Sequence, residues 1–100
     1  MLYFLKVRVD YQRLTPEELW NQWEKEADAA LRAKAAGKIV ALYKVVGQRR
    51  VLIIVDAQSH EEVDRSLMAA LPMAPYEELE EILPLREYES FADDVKRRWK

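Results

Sequence analysis

The chain has 100 residues, of which 50% are hydrophobic and 34% charged, and its net charge is −2. This length and composition predict one globular domain spanning residues 1–100 and exclude a disordered or collagen-like chain. The absence of cysteine excludes disulfides and thiolate chemistry, the single histidine excludes a histidine metal cluster, and the dispersed basic residues argue against nucleic-acid binding.

The first ten residues alternate between apolar and polar side chains, which predicts a strand. Tyr3, Leu5, Val7 and Val9 are expected on one face, with Lys6 on the other. This alternation differs from the unbroken apolar core of a signal peptide, and the sequence has no apolar run long enough for a transmembrane helix. We therefore expect a soluble, cytoplasmic protein without a membrane partner.

A long helix is predicted next. Thr15 is a typical N-cap, Pro16 suits the first helical position, and Glu18 completes a capping box. The helix is expected to run for about five turns, as far as Gly37, which readily adopts the left-handed conformation that ends helices. Its predicted buried stripe contains Leu19, Trp23, Ala27, Ala30 and Leu31.

Two strands are predicted around a turn at Gly47. Residues 38–46 alternate, with Tyr43 on the face of Tyr3 and Lys44 on the face of Lys6, whereas residues 51–55 are apolar throughout, as in a strand buried on both sides. Helices can cover only one side of a four-stranded sheet, so a second copy of the chain is expected to cover the other. The pattern thus predicts a homo-oligomer.

The second half of the chain repeats this order. Ser59 and Glu62 predict a helix that Pro72 ends, and the acid-rich residues 79–86 are interpreted as an edge strand. Residues 89–100 predict a short C-terminal helix. The fold class is therefore α+β, ferredoxin-like: a βαββαβ order with a four-stranded antiparallel sheet and a short terminal helix.

Several short patterns resemble the muconolactone isomerase family over roughly residues 1–86. They are Met1-Leu2-Tyr3 with Lys6, Glu26 eleven residues before Gly37, Leu42-Tyr43-Lys44 followed by Gly47, Val55-Asp56 before Ser59, and Leu71-Pro72 followed by Pro75-Tyr76. The resemblance implies a ferredoxin-like subunit that forms dimer units within a ring-shaped decamer, with active sites between subunits. It also implies double-bond migration in a small anionic lactone, or chloride elimination from a chlorinated relative, during bacterial catechol breakdown, without a metal or cofactor.

The chain departs from the family pattern at several positions. Ile39 and Val40 stand where tryptophan and arginine are usual, Lys44 replaces a later arginine, and Ala74 replaces an aromatic residue. Lysine keeps the positive charge but lacks the planar fork that binds a carboxylate through two hydrogen bonds. The exact substrate is therefore left open.

Glu26 is the candidate catalytic residue. An allylic proton shift needs a group that moves a proton between carbons, and a cationic or hydrogen-bonding group that stabilises the enolate. Glu26 lies at the border of the apolar helix stripe, where partial burial would raise its pKa toward that of a general base. The alternative is an ordinary glutamate paired with a nearby lysine.

Four residues are candidates for substrate binding. Lys6 and Lys44 are expected on one sheet face, where burial requires an anionic partner; otherwise both reach the rim of a subunit interface. Tyr76 either closes the pocket or packs in the core, and Trp99 either covers a neighbouring subunit's pocket or serves packing alone. His60 is expected to be a surface residue without a role.

Three functions are compatible with these residues. The first is a cofactor-independent isomerase, or related lyase, of a small unsaturated lactone carboxylate. The second is a non-catalytic ligand-binding or scaffold protein on the same dimeric α+β barrel, which Val40 and Ala74 favour. The third is a cofactor-free oxygenase or cyclase, which needs a larger apolar cavity.

Overall fold

The computed structural model describes residues 1–100, and its four strands form one antiparallel sheet in the order β2-β3-β1-β4. This topology confirms the predicted α+β, ferredoxin-like fold. The elements are β1 (Leu2–Val9), α1 (Pro16–Ala35), β2 (Ile39–Lys44), β3 (Arg50–Asp56), α2 (His60–Arg65) continued by a π-helical turn (Ser66–Ala70), a 3₁₀ turn (Ala74–Tyr76), β4 (Glu77–Leu85) and α3 (Tyr88–Arg97).

Helix α1 begins with the predicted capping box. The backbone N–H of Glu18 donates to the Thr15 hydroxyl at 3.2 Å, and the backbone N–H of Thr15 donates to the Glu18 carboxylate at 3.0 Å. Gly37 follows the helix with φ 81°, a conformation that side chains with a Cβ rarely adopt, and so lets the chain turn back into β2.

The sheet has one face covered by helices and one open face. Tyr3, Leu5, Val7 and Val9 are all buried on the covered face, which confirms the alternation predicted for β1. Two apolar clusters form there, one with Val63 of α2 and one with Leu19 of α1. The core is therefore split between the two helices.

The predicted apolar stripe of α1 is buried only at its N-terminal end. Leu19 is buried, whereas Leu31 is 59% exposed. The prediction of a fully buried stripe was wrong because a cavity, and not the sheet, lies beside the second half of α1, where Ala27, Ala30 and Leu31 line it.

The faces predicted for β2 were correct at Ile39 and wrong from Ala41 onward. A bulge near the start of β2 shifts its register, and one extra residue turns every later side chain to the other face. Lys44 therefore pairs with Val51 on the covered face, and Tyr43 pairs with Leu52 on the open face. Lys6 also lies opposite Leu52, so Lys6 and Lys44 are on opposite faces of the sheet.

Helix α3 extends the chain beyond the sheet. Arg86 holds it by donating a hydrogen bond to Asp94 at 2.7 Å, and its guanidinium lies 5.8 Å from the Phe91 ring. Tyr88 and Trp99 on this segment are largely exposed. None of the helices in the chain combines the length and apolar character needed to cross a bilayer.

Candidate functional site

A cavity of about 700 Å³ lies between the second half of α1 and the sheet. Its walls are mainly apolar. The polar groups that line it come from different elements: Glu26 from α1, Glu77 from β4, Lys44 from β2, and Arg49 from the turn between β2 and β3. The apolar walls include Trp23, Ala27, Leu42, Val51 and Ile53.

Glu26 faces this cavity from the border of the helix stripe, where the wheel pattern predicted it. Its Oε2 accepts a hydrogen bond from the backbone N–H of Met73 at 3.2 Å. Burial raises the pKa of Glu26, and the hydrogen bonds from Met73 and Glu77 oppose that increase. The carboxyl group is thus partly desolvated and is held by one backbone donor, without an ion pair.

Glu77 is the second carboxyl group of the cavity. It is the first residue of β4 and pairs with Val9, so its side chain points to the covered face. Burial, followed by the charge and hydrogen bonding of Glu26, raises the pKa of Glu77 to about 7. Both carboxyl groups line the same cavity, and their proximity disfavours a state in which both carry a negative charge.

Glu77 was not predicted to line the cavity, because the whole acid-rich run was interpreted as an exposed strand edge. The other acids fit that interpretation better. Glu78 pairs with Arg8, and Glu80 accepts two hydrogen bonds from Arg50, at 2.8 and 3.0 Å. Glu77 differs from these acids because it pairs with buried Val9. This pairing was not predicted, since β4 begins two residues earlier than the sequence indicated.

Lys44 lies at the end of the cavity formed by the β2–β3 turn. Its ammonium group donates to the carbonyl of Val45 at 2.8 Å and to the carbonyl of Gln48, and it forms no ion pair within the chain. Arg49 lines the same end and stacks on the Tyr11 ring at 4.0 Å. Two cationic groups thus border one end of the cavity, with no carboxylate neutralising Lys44.

The other predicted site residues lie elsewhere. Lys6 is on the open face of the sheet, opposite Glu81 of β4. Tyr76 packs against the apolar cluster beside α1 and does not line this cavity. Trp99 packs edge to face on Phe91, with ring centroids 6.2 Å apart, and does not line this cavity.

His60 is exposed, as the sequence predicted, but its ring also contacts a buried residue. Its Nδ1 hydrogen-bonds the hydroxyl of Tyr3, and the two rings meet edge to face. Both residues line a second cleft of about 580 Å³ between α2 and β4, which Glu77 also borders. This contact joins the start of α2 to β1.

Comparison with known proteins points to one family. A family model described as muconolactone delta-isomerase matches residues 1–91. A crystal structure of muconolactone isomerase is 25% identical to the chain, superposes with a TM-score of 0.76, and is matched over 87% of this chain and 90% of that one. No match was found among curated proteins.

Proposed function

Because the chain belongs to the muconolactone delta-isomerase family, we propose that it is a cofactor-independent isomerase of a small unsaturated lactone carboxylate in bacterial aromatic catabolism. The observation that carries this proposal is the position of Glu26, whose carboxyl group faces a largely apolar cavity with cations at one end. A partly desolvated carboxylate is a stronger base than one in water, which suits proton removal from carbon.

In this reaction Glu26 removes a proton from the carbon allylic to the double bond. The electron pair of the broken C–H bond enters the conjugated system, and negative charge develops on the carbonyl oxygen of the lactone, which forms an enolate. A proton returned to the other end of the allylic system completes the shift. No net charge or redox change occurs, so the substrate and one acid–base site are sufficient for the chemistry.

The cationic end of the cavity supplies the counter-charge. Lys44 and Arg49 would bind the substrate carboxylate or the developing enolate oxygen. Arg49 provides a guanidinium from the β2–β3 turn, whereas Arg50 is engaged with Glu80 on the other face. The cavity volume of about 700 Å³ falls within the range typical of small-molecule pockets.

A homo-oligomer is part of the proposal because the open face leaves apolar side chains uncovered. Tyr43 is 68% exposed there, and Leu83 is 43% exposed. Phe4 lies beside Leu83 and Ile54 near the middle of the same face. A second copy packed on this face would bury these residues and form the dimer unit of a larger assembly.

A second candidate is a ligand-binding protein without turnover. The hydrogen bonds of Lys44 favour this candidate, because its ammonium group already donates to two backbone carbonyls. Lysine also lacks the planar guanidinium that binds a carboxylate through two hydrogen bonds. This protein would bind the same anionic lactones in the same cavity. Saturable binding of muconolactone without conversion would identify it.

The test is to incubate the purified protein with muconolactone and follow the vinylic protons by NMR. Wild-type protein should move the double bond, and Glu26→Gln should lower kcat by about 100-fold or more because general-base catalysis typically contributes that much. Asp28→Asn is the matched control, since it removes an exposed carboxylate from the same helix outside the cavity. Equal turnover by wild type and Glu26→Gln would contradict the mechanism.

A further inference from the structure

Glu77 is held in place by the backbone around it. The N–H of Asp10 donates to the carbonyl of Tyr76 at 2.7 Å, and Glu77 then pairs with Val9 in the sheet. The side chain therefore leaves the strand on the covered face, where it lines the same cavity as Glu26. Its orientation follows from the register of β4 and not from a flexible loop.

The surroundings favour a single proton shared unequally between the two carboxyl groups. Met73 donates its backbone N–H to Glu26, which stabilises negative charge on Glu26. Glu77 receives no comparable hydrogen bond from the protein, so the negative charge is favoured on Glu26 and the proton on Glu77. Two charged carboxylates in contact would repel each other in these partly buried surroundings.

The other charged groups around the pair do not neutralise it. Lys44 and Arg49 lie at the turn end of the cavity, and Glu24 lines the same cavity. On the side toward α2, Lys38, Asp56 and Glu62 line the adjoining cavity that Glu26 and Glu77 also border. The cleft between α2 and β4, which Glu77 also borders, is lined by His60, Glu61 and Asp64. None of these groups forms an ion pair with Glu26 or Glu77.

We propose that Glu77 is a second catalytic residue, which holds one proton jointly with Glu26 and delivers it to the substrate after Glu26 has taken another. This inference rests on the isomerase function proposed above. Glu26 breaks the allylic C–H bond and becomes protonated, while the Glu77 O–H bond breaks as the new C–H bond forms. The proton on Glu26 then passes to Glu77 through their hydrogen bond and restores the starting state.

The proposed relay requires two carboxyl oxygens that are spaced like the two reacting carbons. Hydrogen-bonded carboxyl oxygens of this charge type are about 2.6 Å apart. The two carbons that lose and gain the proton are separated by one intervening carbon, a similar span. Two hydrogen-bonded carboxyl groups would thus match the two reacting positions on one side of a planar lactone ring.

The first test follows the two carboxyl groups directly and needs no turnover. Protein labelled with ¹³C at the glutamate carboxyl carbon is titrated by NMR as wild type, Glu26→Gln and Glu77→Gln. We expect one wild-type carboxyl group to titrate near pH 7, to be missing in Glu77→Gln, and to shift to lower pH in Glu26→Gln. If every glutamate of the wild-type protein titrates at its ordinary value, the proposal that Glu26 and Glu77 share a proton is overturned.

The second test measures the role in turnover of muconolactone. Glu77→Gln keeps a hydrogen-bond donor but cannot deliver a proton, so kcat should fall about tenfold or more with little change in KM. Wild-type kcat/KM should decline above about pH 7 as Glu77 loses its proton, and Glu77→Gln should lack that decline. Product formed in D₂O should carry solvent deuterium at the newly protonated carbon from the first turnover.

Glu78→Gln is the matched control, because it removes the neighbouring carboxylate on the opposite sheet face, where it pairs with Arg8. If wild type is active and Glu77→Gln has the same kcat and pH profile, the proposed role of Glu77 is overturned. The isomerase proposal would not be affected by that result. A wild type that binds muconolactone without converting it would instead overturn both the isomerase and the relay, whatever the titration shows.

Discussion

The carboxylate of Glu26 on α1 accepts a hydrogen bond from the backbone N–H of Met73, 3.2 Å away, and so joins the helix to the segment that precedes β4. Met73 is fully buried. A buried N–H without an acceptor costs roughly 1–3 kcal/mol. Glu26 therefore stabilises the fold through this hydrogen bond in addition to serving as the proposed base. Substitutions can separate its contribution to stability from its contribution to catalysis.

Glu26→Gln and Glu26→Ala should differ in stability although both lose the base. Glutamine keeps an oxygen that can accept from Met73, whereas alanine leaves the N–H unpaired. We expect Glu26→Ala to have a free energy of unfolding roughly 1–3 kcal/mol below that of Glu26→Gln. Urea denaturation at fixed protein concentration measures this difference, and equal midpoints and slopes would show that the contact contributes nothing.

Glu77 should make the protein less stable as the pH rises. Its pKa is raised to about 7 in the folded chain, whereas an unfolded glutamate titrates near 4.3. Between these values the folded state binds more protons than the unfolded state, so the free energy of unfolding falls with rising pH and levels off above about pH 7.

Titration of Glu77 should lower the free energy of unfolding by on the order of 3 kcal/mol between its unfolded and folded pKa values. Glu77→Gln should remove this decrease, and Glu78→Gln should retain it because Glu78 lies on the open face. Urea denaturation at about pH 5 and pH 8 compares the three proteins. The same pH dependence in wild type and Glu77→Gln would mean that Glu77 titrates as an ordinary exposed glutamate.

Lys44 should govern substrate affinity. It lines the cavity with Glu26 and forms no ion pair in the chain, so Lys44→Met removes a cation that an anionic lactone would meet. We expect about a tenfold increase in KM, corresponding to one hydrogen bond to a charged group. Steady-state kinetics with muconolactone test this, with exposed Lys25→Met of α1 as the control; equal KM values for the two variants would exclude Lys44 from binding.

The open face should hold the subunits together. Phe4 lies between Ile54 of β3 and Leu83 of β4, so Phe4→Asp places a charge among apolar side chains that a second copy would bury. We expect a lower assembly mass by light scattering. Val46→Asp, in the turn after β2 where Val46 is 93% exposed, should leave the mass unchanged. A Phe4→Asp protein with the wild-type mass would assign the interface to another surface.

Much of the fold could be predicted because its signals are local. The period-two alternation of β1 decided which residues are buried, and the Thr15–Glu18 capping box located the start of α1. The position of Glu26 at the edge of the helix stripe also followed from the sequence, since a helical wheel depends only on spacing. The resemblance to the isomerase family was carried by short patterns of the same local kind, and the family match confirmed it.

The partners of Glu26 depended on tertiary structure. One bulge in β2 turned Lys44 toward the cavity and away from the face of Lys6, and the pairing of β4 with Val9 brought Glu77 to Glu26. The contact between Tyr3 and His60 likewise joins residues that are 57 positions apart. Side-chain pattern determined each strand and helix separately, whereas the register between strands, set by a single inserted residue, decided which charges share the cavity.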